Sequence, residues 1–224
     1  MSAVKNIFAP RSSRVLRVLL VNPGRDWNER GLAREARVSS GLAHYVCRTL
    51  MELGFVARSE RNRLVLVDPL RLLKRWAAYH QYDSMNEFLD YFTLEREVDR
   101  FMKKVVKLDL EYAVSGLVGA WVVAPYVRPV DVHLYVSARD IAEEIAEKLG
   151  LNPTPRGGNV KFVLPYDEGV FYGTREVRDV KVVSNVQLYV DLYNFPARGE
   201  EAASRLLELM LREWQQKREG KQRV

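Results

Sequence analysis

The chain has 224 residues, of which 47% are hydrophobic and 29% are charged, and this composition excludes intrinsic disorder as its main state. Its longest uncharged run, residues 112–127, is shorter than the roughly 20 apolar residues of a membrane-spanning helix. The formal net charge is +6. Cys47 is the only cysteine, so it can form neither an intrachain disulfide nor a cysteine-based zinc site. Because the start also lacks the apolar core of a secretory signal, we expect a cytoplasmic protein.

The charge is distributed unevenly along the chain. Residues 1–82 contain 15 Lys and Arg against 6 Asp and Glu, whereas residues 83–224 contain 20 against 23. A basic segment joined to a mildly acidic one indicates two domains with different partners, and the basic one is a candidate for binding a polyanion. We therefore predict domains over residues 1–82 and 83–224.

The basic segment is predicted to begin with three helices. Apolar residues at helical spacing predict helices over 13–21, 29–37 and 40–53. Asn28 and Ser39 precede the second and third helices and are good N-caps, because their side-chain oxygens can accept a hydrogen bond from the first helical turn.

A hairpin and a fourth helix are predicted to follow. Residues 55–58 and 63–67 alternate in polarity as two strands, and Asp68-Pro69 opens the next helix. This order is typical of a winged helix-turn-helix, in which the third helix is the recognition helix and residues 58–63 form the wing.

The outward face of the predicted recognition helix carries side chains suited to DNA. Arg can bind a guanine edge with two hydrogen bonds, and Ser, His and Tyr can reach bases or phosphates. Amides at a helix start can hold a phosphate, and arginines on the preceding helix and the hairpin suit backbone contacts. The predicted DNA-binding residues are Arg34, Arg37, Ser39, Ser40, Gly41, His44, Tyr45, Arg48, Arg58, Arg61 and Arg63.

The second segment alternates between strand and helix patterns and predicts a mixed α/β (α+β) domain after the N-terminal winged helix-turn-helix. Residues 183–203 predict a helix pair that closes the core or presents aromatic side chains to a partner, and the last five residues are expected to fray. Strands are predicted over 86–92, 110–114, 130–136, 160–164, 169–172 and 180–183, and helices over 94–108, 117–124, 138–149, 186–193 and 200–217.

Signatures of catalysis are weak. The motifs GxSxG, GxxxxGK[ST] and GxGxxG are absent from the sequence. Ser115-Gly116, followed by Asp131 and His133, is the nearest likeness to a nucleotidyltransferase site, but a carboxylate with an imidazole is a poor Mg²⁺ site. We expect no catalytic residue, no metal and no cofactor, with His133 an exposed or hydrogen-bonded histidine.

Several segments give the chain a family likeness. It resembles the AbiEi-type antitoxins of type IV toxin–antitoxin systems over most of its length, most specifically from residue 186 to 203. The segments that carry the resemblance are residues 32–56, 68–76, 112–116, 131–136, 157–160, 169–172, 186–192 and 198–203.

The resemblance implies an autorepressing transcriptional regulator. Its N-terminal domain would bind inverted repeats in its own promoter. Its C-terminal domain would counteract a nucleotidyltransferase-like toxin without necessarily forming a stable complex. Two other hypotheses stay open from the residues alone: a divergent nucleotidyltransferase acting on nucleic acid through Asp131, and a winged-helix protein-interaction adaptor.

Overall fold

The computed structural model describes residues 6–222, with side chains described as far as residue 216. The chain divides into two compact units, one formed by residues up to His80 with those from Glu208 onward, and the other by Gln81–Leu207. The fold is mixed α/β, which confirms the predicted fold class.

The first unit contains helices followed by a two-stranded antiparallel hairpin. Val56 pairs with Leu66 and Arg58 with Leu64. Trp27, just before the second helix, exchanges two backbone hydrogen bonds with Leu64, of 2.9 and 2.7 Å, which fixes the hairpin beside that helix. The elements are α1 (Pro10–Val21), α2 (Glu29–Glu35), α3 (Ser40–Glu52), β1 (Val56–Arg58), β2 (Leu64–Leu66) and α4 (Pro69–Tyr79).

Local capping explains where these helices begin. The side chain of Asn28 accepts from the Gly31 amide, and the Ser39 hydroxyl accepts from the Leu42 amide at 3.2 Å. Asp68 accepts from the Arg71 amide at 3.0 Å at the start of α4. These caps satisfy backbone donors that have no partner within the helix, so the element boundaries follow short-range signals.

The core of the first unit lies where α1, α3 and α4 turn their apolar stripes inward. Leu16, Leu50 and Leu73 are fully buried, and Trp76 is 1% exposed. The buried positions of α3 are Ala43, Val46, Cys47 and Leu50, so the opposite side of this helix is left to solvent.

The second unit is built on a mixed sheet of seven strands within the described residues. Their order across the sheet is β6 (Asn152–Pro153), β3 (Glu87–Phe92), β7 (Val160–Leu164), β5 (Val132–Tyr135), β4 (Ala113–Ser115), β9 (Val180–Val182) and β8 (Arg175–Val177). The long helix α10 (Gly199–Gln222) begins in this unit and contributes its later turns to the first. The remaining elements are α5 (Tyr82–Met85), α6 (Val98–Val105), α7 (Gly116–Val123), α8 (Arg139–Leu149) and α9 (Asn185–Tyr193).

One strand prediction for this unit is wrong, and one helix is shorter than predicted. The strand predicted over 169–172 is a 3-10 helix, Glu168–Phe171, because the Asp167 carboxylate accepts from the Gly169 amide at 2.7 Å and closes a turn. The helix predicted over 94–108 spans only Val98–Val105. Side-chain oxygens of Thr93 and Glu95 accept from backbone amides two residues later, each at 3.2 Å, and hold the preceding segment in turns.

Helix α9 closes the core of the second unit. Asn185–Leu192 are buried, and Phe195 just after the helix is 9% exposed, so this segment packs inward. Helix α10 continues to Gln222; residues 223 and 224 of the tail that was expected to fray lie outside the described residues. Within residues 6–222, none of the helices combines the length and apolar character needed to cross a bilayer.

Candidate functional site

The outward face of α3 carries the side chains predicted to contact bases. The side chains of His44 and Arg48 are 62% and 67% exposed, and Tyr45 is half-buried. Arg48 Nε donates to Glu52 Oε1 at 3.0 Å, one turn further along the helix. Because the apolar stripe of α3 is turned into the core, this polar face is presented to solvent.

The turn into α3 combines exposed polar groups with a helix start. Ser39, Ser40 and Gly41 are exposed there, and Ser39 Oγ already accepts from a backbone amide as the N-cap. Arg37 has a φ of 49°, which makes the turn between α2 and α3 tight. Arg34 and Arg37 are both exposed on the approach to the helix. The first turn of α3 therefore has the positive end of the helix dipole, and the guanidinium groups of Arg34 and Arg37 precede it in the chain. Both kinds of positive charge attract anions.

The hairpin places three arginines around one turn. Arg58, Arg61 and Arg63 are exposed. The turn is held by backbone bonds of 2.8 Å between Ser59 and Arg63 and between Asn62 and Ser59, with Asn62 at a φ of 54°. The guanidinium of Arg58 donates to the Asn62 carbonyl at 3.2 Å, whereas Arg61 and Arg63 form no ion pair within the described side chains.

A carboxylate at the start of α2 joins α3 to the hairpin. Glu29 Oε2 lies 3.0 Å from His44 Nδ1, and Glu29 Oε1 accepts from Arg58. The hydrogen bond from His44 lowers the pKa of Glu29 below its ordinary value; burial opposes this, and Arg58 adds to the lowering. Glu29 is therefore a carboxylate at neutral pH.

A cleft of about 360 Å³ lies on one face of the sheet in the second unit. Strand register sets Ser115, His133, Lys161 and Asp90 opposite one another on four adjacent strands, so these side chains share a face. The last three line the cleft, and Asp131, two residues before His133, lines it as well. Sequence reasoning missed Asp90 and Lys161 because only the strand order brings them to this row.

His133 is hydrogen-bonded at both ring nitrogens. Its Nε2 lies 3.1 Å from Asp131 Oδ2, and its Nδ1 lies 3.0 Å from the Tyr82 hydroxyl. Burial raises the pKa of Asp131, but the hydrogen bond and charge of His133 and the charge of Lys161 outweigh it, and the net pKa is lowered. Gly116, next to Ser115, has a φ of 61°, a backbone conformation that favours glycine.

Ser115 faces a buried acceptor. Its hydroxyl donates to Asp191 Oδ2 at 2.7 Å, the Tyr135 hydroxyl donates to the same oxygen at 3.2 Å, and the Gln187 amide donates to Oδ1 at 2.7 Å. Burial raises the pKa of Tyr135 well above its ordinary value, and the charge of Asp191 raises it further, so this hydroxyl stays a donor. The network spans β4, β5 and α9 and ties α9 to the sheet.

The polar side chains of the cleft and of the Asp191 network hold one another through hydrogen bonds. Asp131 holds His133, and Ser115 holds Asp191, so each group is engaged by its neighbour. Among the described residues, His, Cys, Asp and Glu form no group that could hold a metal ion. Burial raises the pKa of the Cys47 thiol to about 12, which keeps it protonated.

Comparison with known proteins identifies the family. A family model described as transcriptional regulator, AbiEi antitoxin, type IV TA system matches residues 63–212, which is two thirds of the chain. The chain belongs to the AbiEi antitoxin family. This confirms the resemblance found in the sequence, and the family is one of regulators rather than enzymes. No curated protein and no solved structure shows a significant match.

The match to the AbiEi antitoxin family covers the two candidate regions unequally. It contains the whole second unit, including the cleft and the network around Asp191. Of the eleven residues predicted to bind DNA, Arg63 is the one inside the matched segment. Helix α3 lies outside the matched segment.

Proposed function

We propose that the chain is a sequence-specific DNA-binding transcriptional regulator, an autorepressing type IV antitoxin. Residues 1–82 form its winged helix-turn-helix domain, and α3 enters the major groove of duplex DNA. Residues 83–224 form the antitoxin-type domain. The observation that carries the proposal is the exposed polar face of α3, opposite an apolar buried stripe, together with the exposed arginines of the hairpin. A helix of this kind fits the major groove, and the adjoining hairpin fits the backbone.

Each part of this face has its own role. Arg48, His44 and Tyr45 contact base edges in the groove. The hairpin arginines, Arg58, Arg61 and Arg63, hold the phosphate backbone beside it. The first turn of α3, with Ser39, Ser40 and Gly41, receives a phosphate, and Arg34 and Arg37 on the approach contact the backbone as well.

The ion pair of Arg48 is compatible with base contact. Both partners are exposed, Arg48 by 67% and Glu52 by 60%. Exposed ion pairs of this kind contribute only about 0–1 kcal/mol to stability. A bidentate contact with guanine discriminates by about 1–3 kcal/mol, so Arg48 gains by exchanging Glu52 for a base.

The test begins with selection of bound sequences from a randomised duplex library by the full chain, followed by affinity measurements. We expect Arg48→Ala to weaken the selected site by about 1–3 kcal/mol and to relax sequence preference, with little effect on random duplex. The control is Arg198→Ala, which removes an arginine of similar exposure that is also ion-paired, here with Glu201. Equal binding of selected and random duplex by the parent protein and by Arg48→Ala would refute the assigned face.

The antitoxin role concerns a second partner. We propose that the protein acts in the cytoplasm, binds inverted repeats in its own promoter, and counteracts a nucleotidyltransferase-like toxin without needing a stable complex. Family membership supports this proposal. The test is co-expression with the product of a neighbouring nucleotidyltransferase-like gene. Relief of growth arrest supports the role, and unrelieved arrest contradicts it.

A further inference from the structure

Glu29 lies between the two elements that are proposed to contact DNA. It is the first residue of α2, yet its carboxylate contacts His44 on α3 through Oε2 and Arg58 on β1 through Oε1. Its side chain is 26% exposed, against 62% for His44, so the carboxylate is more shielded than the imidazole it holds.

This contact decides which nitrogen of His44 carries the hydrogen. A carboxylate is an acceptor only, so the Nδ1 atom 3.0 Å from Glu29 must be the donor. When the imidazole is neutral, its single hydrogen is then on Nδ1, and Nε2 is left as an acceptor. A ring nitrogen fixed in this way by the hydrogen bond of the other nitrogen has one defined role toward a ligand.

An acceptor and a donor distinguish different bases in the major groove. Adenine and cytosine present amino groups there, guanine and thymine present acceptor oxygens, and adenine and guanine both present N7 as a further acceptor. We propose that Glu29 is a specificity-determining residue of the DNA-binding face, which acts through His44 by making Nε2 an acceptor for the amino group of adenine or cytosine. This proposal rests on the proposed function and assigns one element of its base preference.

The same carboxylate also positions the hairpin. The guanidinium of Arg58 donates to Glu29 and, at 3.2 Å, to the Asn62 carbonyl in the hairpin turn. Arg58 is thereby tied to both α2 and the turn, which fixes the hairpin arginines with respect to His44. Loss of Glu29 removes both tethers at once, whereas loss of His44 removes only one.

The first experiment locates the hydrogen. Long-range ¹H–¹⁵N correlation spectra of the full chain, recorded at a pH where His44 is neutral, are assigned with His44→Ala. We expect the hydrogen on Nδ1, which is the less favoured tautomer of an isolated imidazole. In Glu29→Met, which keeps the side-chain length but lacks the carboxylate acceptor, we expect it on Nε2. A hydrogen on Nε2 in the parent protein would overturn the proposal.

The second experiment reads base preference. Library selection with His44→Ala identifies the position that depends on His44, and at that position we expect the parent protein to select adenine or cytosine. Glu29→Met should lower this preference about tenfold and leave the position contacted by Arg48 unchanged, since one base contact accounts for roughly 5- to 150-fold discrimination. In the His44→Ala background, Glu29→Met should change nothing further at this position.

Glu52→Met is the matched control, because it removes the same charge from an exposed carboxylate that pairs with Arg48. Both substitutions remove one negative charge, but only Glu29→Met should change the base preference at the His44 position. An unchanged preference in folded Glu29→Met overturns this proposal alone. If the parent protein selects no sequence at all, the proposed function fails with it. Thermal unfolding of each variant verifies the fold.

Discussion

Two arginines of the hairpin give a prediction whose size follows from the structure. Arg61 and Arg63 are exposed, and neither forms an ion pair within the described side chains, so both are available to phosphates. Each phosphate contact contributes about 0.9 to the slope of log affinity against log salt concentration. The double variant Arg61→Ala/Arg63→Ala should therefore have a slope smaller by about 1.8.

The assay measures duplex binding by fluorescence anisotropy at salt concentrations between 50 and 200 mM. Across this fourfold range, a slope smaller by about 1.8 means that the variant loses roughly tenfold less affinity than the parent protein. Selected and random duplex should weaken together, because phosphates carry no sequence information. The control is Arg96→Ala/Arg100→Ala, which removes two exposed arginines of the second unit. An unchanged slope in the hairpin variant, or an equal change in the control, would refute the reasoning.

Three further predictions concern stability. Gly158→Ala should lower the free energy of unfolding by about 1–3 kcal/mol, measured by denaturant titration, because the new Cβ would lie 2.3 Å from the Tyr91 carbonyl oxygen. Leu50→Ala should cost about 2–5 kcal/mol in the same assay, since the side chain is fully buried; a loss under 1 kcal/mol would mean that α3 is not packed as described. The pKa of Asp131 is lowered from its ordinary value of 3.8, because the hydrogen bond and charge of His133 outweigh the effect of burial. The ionised Asp131 carboxylate therefore stabilises the fold above that pH, and this stabilisation is lost as the pH falls below 3.8. In Asp131→Asn, the free energy of unfolding should therefore decrease less steeply as the pH is lowered through the acid range. An unchanged steepness would contradict this.

The helices of the first unit were predictable because their signals are local. Asn28, Ser39 and Asp68 each cap the helix that follows, and the apolar spacing of α3 gives its buried stripe directly. The start of α1 was missed by three residues, since it begins at Pro10 without a side-chain cap.

The second unit was harder to predict because its short elements depend on distant partners. Strand β6 has two residues, Asn152–Pro153, and exists by pairing with β3, whereas β8 pairs with β9 across a tight turn. Neither has the length or alternation that marks a strand in sequence. The polar side chains that line the cleft also depend on distant partners. Asp90 and Lys161 are 71 residues apart in the chain and lie side by side because their strands pair in this register.

Glu29 is the first residue of α2, where a negative charge is favourable because of the helix dipole. The structure adds its contacts with α3 and the hairpin, which are 15 and 29 residues away in the chain. No local pattern encodes such a bridge, because it depends on how α2, α3 and β1 pack together. The position of Glu29 on α2 explains its favourable interaction with the helix dipole, whereas its contacts with His44 and Arg58 depend on the tertiary structure.

An amide chemical-shift map of the full chain, titrated with its selected duplex, shows directly which surface contacts DNA. If α3 and the hairpin form the DNA-contacting surface, the largest shifts will fall on residues 39–48 and 58–63, and they will diminish in Arg48→Ala. Shifts confined to residues 81–207, with those two segments unchanged, would contradict the account.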